Sequence, residues 1–355
     1  MVRAKFGIRI PFSSAAATME NVVTAAKAAE DLGYPGIVTG DHVNCELDRH
    51  LYHRMGRGVL GEPGNTNDPN FFESMTTLAY IGGMFPSLEL LVGVMLLPIR
   101  NPILLAKQAA NIDAFTKGRL RLGVGVGNAT DRVEFDIMGL KEKMPARYDM
   151  ATEWVESMKR IWTDPMASYD GKFINFKDAT VYPKPFKNGH IPLWVGGISD
   201  RALNLIAKHC DGWWAALPPI EEIKPTIEKI RELRKAAGRG SDSFTVANMF
   251  RISIAKDAQE ARSNVATCTS GHKMTSHWGV GRAFVTDTKD GSNNAAVEEF
   301  NKRGGVGNPS DVMKKIEEQV EAGVTYFDTY FMYPRIEHLV EQMKFFAKEV
   351  MPSFN

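Results

Sequence analysis

The sequence predicts a (β/α)8 barrel of the TIM type. Short apolar runs alternate with longer amphipathic stretches along the whole chain, eight such runs can be counted, and no shift of composition marks a domain boundary. Strands that alternate with helices imply parallel βαβ units, and eight units close into a barrel. The 355 residues fit one large barrel, and the apolar (44%) and charged (24%) shares are ordinary for a soluble globular chain. Residues 1–355 are therefore read as a single barrel domain, with an excursion of short strands before the fifth barrel strand and an irregular insertion, 267–307, after the seventh.

Taken in order, residues 5–11 (KFGIRIP) form an apolar strand ended by proline. Thr18 can cap a helix in which Asn21 holds the N3 place that a capping box fills with Glu or Gln, and Gly33 stops that helix after Leu32. The second strand, 36–40 (GIVTG), is followed directly by Asp41 and His42 and then by a long polar loop, 43–70. A helix over 71–82, a third strand over 88–97 and a helix over 102–115 with proline in its first turn come next. A fourth strand (120–126) and a helix (146–162) precede the excursion, 168–185, which turns at Asp170-Gly171. The remaining strands are 192–197, 211–217, 245–255 and 326–330, with helices at 199–209, 220–237, 309–322 and 336–350. Trp213, Trp214, Phe331 and Met332 read as core or barrel wall.

The most informative stretch is 118–131, GRLRLGVGVGNATD. Leu120, Leu122, Val124 and Val126 fall on one side, and Arg121, Gly123, Gly125 and Gly127 on the other, a period of two that argues for a strand. Glycines at alternate positions bare one face, which weakens a strand unless a ligand or a close-packed neighbour lies against its backbone. Asn128, Thr130 and Asp131 add polar groups where the strand opens. The spacing is G-x-G-x-G, not the G-x-G-x-x-G of a dinucleotide fold, and no acidic residue closes a second strand about twenty residues on.

Active sites of such barrels gather at the carboxyl ends of the strands. Asp41-His42, Asn128 and Gly196-Gly197-Ile198-Ser199 all fall there. Imidazole titrates near neutrality, so His42 is a candidate for proton transfer rather than a solvated loop residue. The stretch 196–199 runs from a strand into a helix start. It can be an anion site made of backbone N–H groups and the helix dipole, or a plain turn with Ser199 as N-cap. Cys45, Asp48, His50 and His53 share the loop after His42, but no H-x-H ends the first strand and no metal is expected. Arg100, Arg147 and Arg201 read as solvated surface.

A formal net charge of +1 excludes a global field toward nucleic acid or a charged membrane. No run of about eighteen apolar residues spans a bilayer, and the first twelve residues lack the apolar core of a signal peptide. Three scattered cysteines, Cys45, Cys210 and Cys268, fit a reducing interior, so a cytoplasmic protein is expected.

The run GRLRLGVGVGN, the later IPLWVGGISDRALNLIAKHCDGWW and the earlier PIRNPILLAKQAANIDAFTKGR together resemble the bacterial-luciferase-like flavin oxidoreductases, over residues 5–217 and again, weakly, near 324–330. The resemblance implies the same (β/α)8 barrel and a flavin, or the deazaflavin F420, at its carboxyl face. It implies cofactor phosphate near Gly196, Gly197, Ile198 and Ser199, and ring contacts from Gly125, Val126, Gly127 and Asn128. It further implies a non-prolyl cis peptide near Gly93-Val94. Asp41-His42 resembles the F420-dependent branch, in which this pair meets the deazaflavin. FMN monooxygenases of the luciferase type more often carry Glu-His-His there. The implied reaction is hydride transfer between F420 and a small organic substrate, with His42, held by Asp41, handling the proton. Asn128 stands where sugar-phosphate dehydrogenases of that branch have a glutamate acid, which argues against that activity. The alternatives are an FMN-dependent monooxygenase fed by a flavin reductase, and a flavin-binding protein without turnover. A homodimer is expected from the resemblance. The loop 43–70 and the insertion 267–307 are expected to shape the substrate site.

Overall fold

The computed structural model describes residues 3–13, 16–43, 70–128, 131–187, 189–216, 218–269 and 294–354. Its strands are β1 (Lys5–Arg9), β2 (Gly36–Thr39), β3 (Glu89–Leu96), β4 (Leu120–Gly125), β5 (Ala167–Asp170), β6 (Asn175–Ala179), β7 (Leu193–Gly196), β8 (Gly212–Ala215), β9 (Thr245–Ile254), β10 (Gly305–Gly307) and β11 (Tyr326–Phe331). Eight of them pair in parallel in the order β9-β11-β1-β2-β3-β4-β7-β8, and the pairing of β8 with β9 closes the barrel. The predicted excursion is an antiparallel hairpin, β5 with β6, outside the barrel.

The helices are α1 (Met19–Asp31), α2 (Ser74–Met84), α3 (Pro102–Phe115), α4 (Arg132–Ile137), α5 (Arg147–Thr163), α6 (Asp200–His209), α7 (Ile220–Ala236), α8 (Ala258–Thr269), α9 (Asn294–Arg303), α10 (Pro309–Ala322) and α11 (Ile336–Glu349). The longer helices between barrel strands pack an apolar stripe inward, as α1 does with Val22, Ala25, Ala26 and Ala29 at helical spacing. Thr18 caps α1 by accepting a hydrogen bond from the Asn21 amide, whereas the Asn21 side chain donates to the Ala16 carbonyl instead of completing a capping box. Among the described residues no helix is long and apolar enough to cross a membrane.

The insertion differs from its prediction. Part of 267–307 is regular: α9 covers 294–303, and β10 adds to β9 with Val306 opposite Ser253. The helix after β9, α8, also escaped the sequence, because its interior is polar enough to blur the periodic signal. Residues 270–293 lie outside the described residues, as do most of the loop 43–70, with Cys45, Asp48, His50 and His53, and Thr130.

Inside the barrel, Val38, Leu91, Trp194, Trp214, Ala247 and Tyr326 form one cluster, with Trp194 5.8 Å from Trp214 and 5.4 Å from Tyr326. The alternate glycines of the fourth strand find their reason here. A Cβ on Gly123, or on Gly93 of β3, would run into the Trp214 indole. Close packing therefore accounts for Gly123, and truncating Trp214 would cost about 3–5 kcal/mol. Trp213, Phe331 and Met332 are buried, as core residues should be.

Candidate active site at the carboxyl ends of the strands

His42 stands just beyond β2, with its side chain 15% exposed and its ring edge-on to Phe71 at 5.4 Å. Its Nδ1 pairs at very short range with Oε1 of Glu134, a fully buried residue of α4. The other carboxylate oxygen of Glu134 accepts the Val43 backbone N–H at 2.9 Å, so one side chain holds both the ring and the backbone beside it. With Nδ1–H donated to a carboxylate, Nε2 is the basic nitrogen of the neutral ring, the arrangement that proton transfer needs. Asp131 closes the group: its Oδ2 accepts the Asn128 amide at 2.7 Å, and its buried Oδ1 has no hydrogen-bond partner among the described residues. Donor atoms of His42, Asp131 and Glu134 lie within 4.8 Å of one another, close enough to hold a metal ion. Internal hydrogen bonds already engage both oxygens of Glu134.

Asp41 does not hold His42, which corrects the sequence reading. It is buried, and its carboxylate accepts from Ser74 Oγ (2.9 Å), the Leu96 amide (3.1 Å), Arg100 Nε (3.3 Å) and, at very short range, Arg100 Nη2. These bonds tie the end of β2 to the end of β3 and to the start of α2. Arg100 is correspondingly not a solvated arginine. It also pairs with Glu73 at 3.0 Å, and its carbonyl accepts the Trp154 indole N–H at 2.7 Å. Burial opposes its charge, but the carboxylates of Asp41 and Glu73 outweigh that and raise its pKa.

Behind this group the ends of β3, β4 and β7 form a shelf. The Gly93–Val94 peptide is cis, at the position that the resemblance implied, and the Gly93 carbonyl accepts from Arg9 Nη2 at 2.8 Å. The Val94 side chain lies against two glycines: its methyls are 3.0 Å from where a Cβ of Gly125 would sit and 3.9 Å from that of Gly196. Both glycines and Val94 retain some accessible surface. A bare backbone beside one apolar side chain suits a flat ring. Val126 is buried below, and Gly127 takes a positive φ of 80° that turns the chain toward Asn128.

The phosphate-site candidate is a capped turn with cations beside it. Ser199 caps α6 by accepting from the Ala202 amide at 3.2 Å, and its hydroxyl donates to the Tyr148 oxygen at 3.0 Å. Gly197 has φ of 115°, and its carbonyl accepts the Trp213 indole N–H. Ile198, partly buried, packs on the main core. Arg147 and Arg201 flank the Tyr148 ring at 5.4 and 5.3 Å, and Arg147 Nε donates to the Gly127 carbonyl at 3.2 Å. Arg147 thus joins the loop 125–128 to the turn 196–199. Asp200 in the first turn of α6 opposes an anion there, but its carboxylate is paired with Lys229 at 2.6 Å.

Sequence reasoning missed Glu134 and Tyr148. The six residues of α4 are too few to show a helical period, and Tyr148 reads as one aromatic on an amphipathic helix. Serine, bare glycines, a buried acid–imidazole pair and basic side chains converge on one face of the barrel. That face can bind an anionic, flat-ringed molecule and move one proton beside it.

The profile of the luciferase-like monooxygenase family matches residues 4–326. An FMNH(2)-dependent dimethylsulfone monooxygenase of Pseudomonas putida is 28% identical over 266 residues, which is 71% of this chain and 70% of that protein. Among solved structures, an F420-dependent secondary alcohol dehydrogenase in complex with an F420-acetone adduct superposes with a TM-score of 0.75 at 18% identity, covering 100% of both chains. The FMN complex of the oxygenating constituent of 3,6-diketocamphane monooxygenase from Pseudomonas putida gives 0.73 at 17% identity, covering 100% of this chain and 99% of that one.

Proposed function

The chain belongs to the luciferase-like monooxygenase family, and on that premise we propose that it is an F420-dependent oxidoreductase of a small organic substrate. The observation that carries this reading is His42, held through Nδ1 by buried Glu134 at the mouth of the barrel. Asp41-His42 is the pair that resembles the F420 branch, and a solved relative of the same fold is described with an F420-acetone adduct. The residues fit such a cofactor. Val94 with Gly93, Gly125 and Gly196 would back the ring, Gly127 and Asn128 would border it, and Ser199 with Arg147 and Arg201 would meet the phosphate. The bound cofactor supplies the hydride chemistry.

The chain's own contribution is positional and electrostatic. Glu134 fixes the imidazole plane and compensates the charge that forms when Nε2 takes a proton from a substrate hydroxyl. In the reverse direction Nε2–H returns that proton to a carbonyl oxygen. Phe71, edge-on to the ring, keeps water from one flank of the imidazole. Asp41 and Arg100 set the spacing of β2 and β3 and take no proton.

The second reading is an FMN-dependent monooxygenase served by a separate reductase, favoured by the dimethylsulfone monooxygenase relative. Fluorescence titration of the purified cofactor-free protein with F420 and with FMN separates the two. F420 binding at least tenfold tighter is the expected result, and the opposite preference selects the monooxygenase. A cytoplasmic homodimer is the proposed form.

A further inference from the structure

Arg251 lies in the upper half of β9, opposite Tyr330 of β11 in the register. By the two-residue period of a strand it shares a face with Met249 and Ala247. Ala247 belongs to the interior cluster of Trp194, Trp214 and Tyr326, so that face is the lumen and Arg251 stands nearest its mouth. The lumen holds a second arginine at this level, and the contrast between the two is informative. Arg9 is paired: Nε donates to Asp328 at 3.1 Å, Nη2 pairs with the same carboxylate, and Nη2 also donates to the Gly93 carbonyl.

Arg251 differs. Among the described residues none of its nitrogens meets a hydrogen-bond acceptor or a carboxylate, and its Nε is sealed from solvent. The guanidinium lies over the Phe300 ring at 4.9 Å, while the residue as a whole keeps some accessible surface. The charged groups facing it are Arg9 and Arg303, both of its own sign, with the Tyr330 hydroxyl as the acidic neighbour. Burial first, and those two cations after it, push its pKa down to about 10, so the charge persists at neutral pH at a cost. At this level the described residues set one carboxylate, Asp328, against buried Arg9 and partly buried Arg251, which leaves one positive charge without a counter-charge among them. A methionine would fill the same volume against Phe300 without that cost.

We propose that Arg251 is the receptor for an oxyanion, a carboxylate or a phosphate, carried by a ligand that enters the mouth of the barrel. The planar fork of a guanidinium matches both groups in bidentate fashion, and a site shielded from water strengthens the pair. The inference adds a ligand class to the function proposed above and rests on that reading only for taking the mouth as the binding pocket. Its test needs no cofactor and no turnover, so the two can fail separately.

The experiment follows the thermal midpoint of the full-length cofactor-free protein against sodium succinate and inorganic phosphate at constant ionic strength, for wild type and Arg251→Met. The expected result is a saturable rise in the wild type, no rise in the variant, and an anion-free midpoint for the variant at or above that of the wild type. An equal rise in both proteins, or no rise in either, overturns the proposal. So does a variant whose anion-free midpoint falls while its anion response is kept, which would make Arg251 a structural cation on Phe300. If Arg251→Met does not fold, Arg251→Lys keeps the charge and loses the fork. A half-saturating concentration at least fivefold higher then supports the proposal, and an unchanged one overturns it. Repeating the titration with F420 or FMN bound assigns the source of the anion. A response lost on saturation places a cofactor phosphate at Arg251, and a response retained places a substrate group there.

Discussion

Glu134 pairs with Nδ1 of His42 across 92 positions of sequence, joining the helix after β4 to the end of β2. A buried carboxylate behind an imidazole orients the ring and stabilises its protonated form. Glu134→Gln keeps the shape and loses the charge. The expected effect is a fall in kcat of about 100-fold with KM and cofactor affinity little changed, since general acid–base catalysis contributes on that scale. His42→Ala should lose at least as much. A kcat within twofold of wild type in Glu134→Gln would reduce the pair to a structural contact.

Asp41 is predicted to matter for stability. Removing its charge leaves Arg100 without its main partner in a buried place, a loss of about 3–5 kcal/mol. Urea unfolding of Asp41→Asn reads this directly. Glu73, whose side chain is 42% exposed, makes the milder pair with Arg100. Glu73→Gln should therefore cost no more than about 1 kcal/mol.

The Tyr148 cluster is predicted to matter for the cofactor. Arg147→Ala removes a cation and the link to the Gly127 carbonyl, and should weaken cofactor binding by roughly tenfold or more, as the loss of a charge-assisted contact does. Calorimetric titration checks this, with an unchanged unfolding midpoint as the control. Arg201 is half-exposed and already paired with Asp149, so Arg201→Ala should weaken binding less.

The buried thiols set an alkaline limit. Burial, the largest cause in each case, raises Cys210 and Cys268 from an ordinary value of 9.0 to about 12. Below pH 9 both are protonated in the folded and unfolded chains, and their contribution is fully present. As pH climbs from 9 toward 12 the unfolded chain loses protons that the folded chain keeps, so stability falls, by up to about 1.4 kcal/mol per group per pH unit. Buried Tyr34 and Tyr326, both raised well above 10.0 by burial, act in the same direction. Urea midpoints at pH 8 and pH 10 should show the drop. Maleimide at pH 8 should reach neither thiol before unfolding, as peptide mapping can show.

The architecture was legible in the chain alone. Alternation along 120–126, helical spacing in 19–31, the Thr18 and Ser199 caps and the proline at 102 act over a few residues, and local rules read them correctly. The same locality explains why Asp41-His42 and Gly196–Ser199 could be placed at strand ends. Partners were another matter. Adjacency in sequence suggested Asp41 as the support of His42, yet successive positions at a strand end point in different directions. Asp41 turned to Leu96 and Arg100, while His42 met Glu134. The company of Arg100, the flanking of Tyr148 by Arg147 and Arg201, and the placing of Arg251 near Arg9 depend on register and closure. Only a closed barrel sets β1 beside β11, itself paired with β9, and with that closure Arg9 and Arg251 come to one level of the lumen with Asp328. Sequence determined the elements and their ends, because the forces that make them are local. Tertiary structure decided which charges face each other, because that depends on a sheet closing on itself.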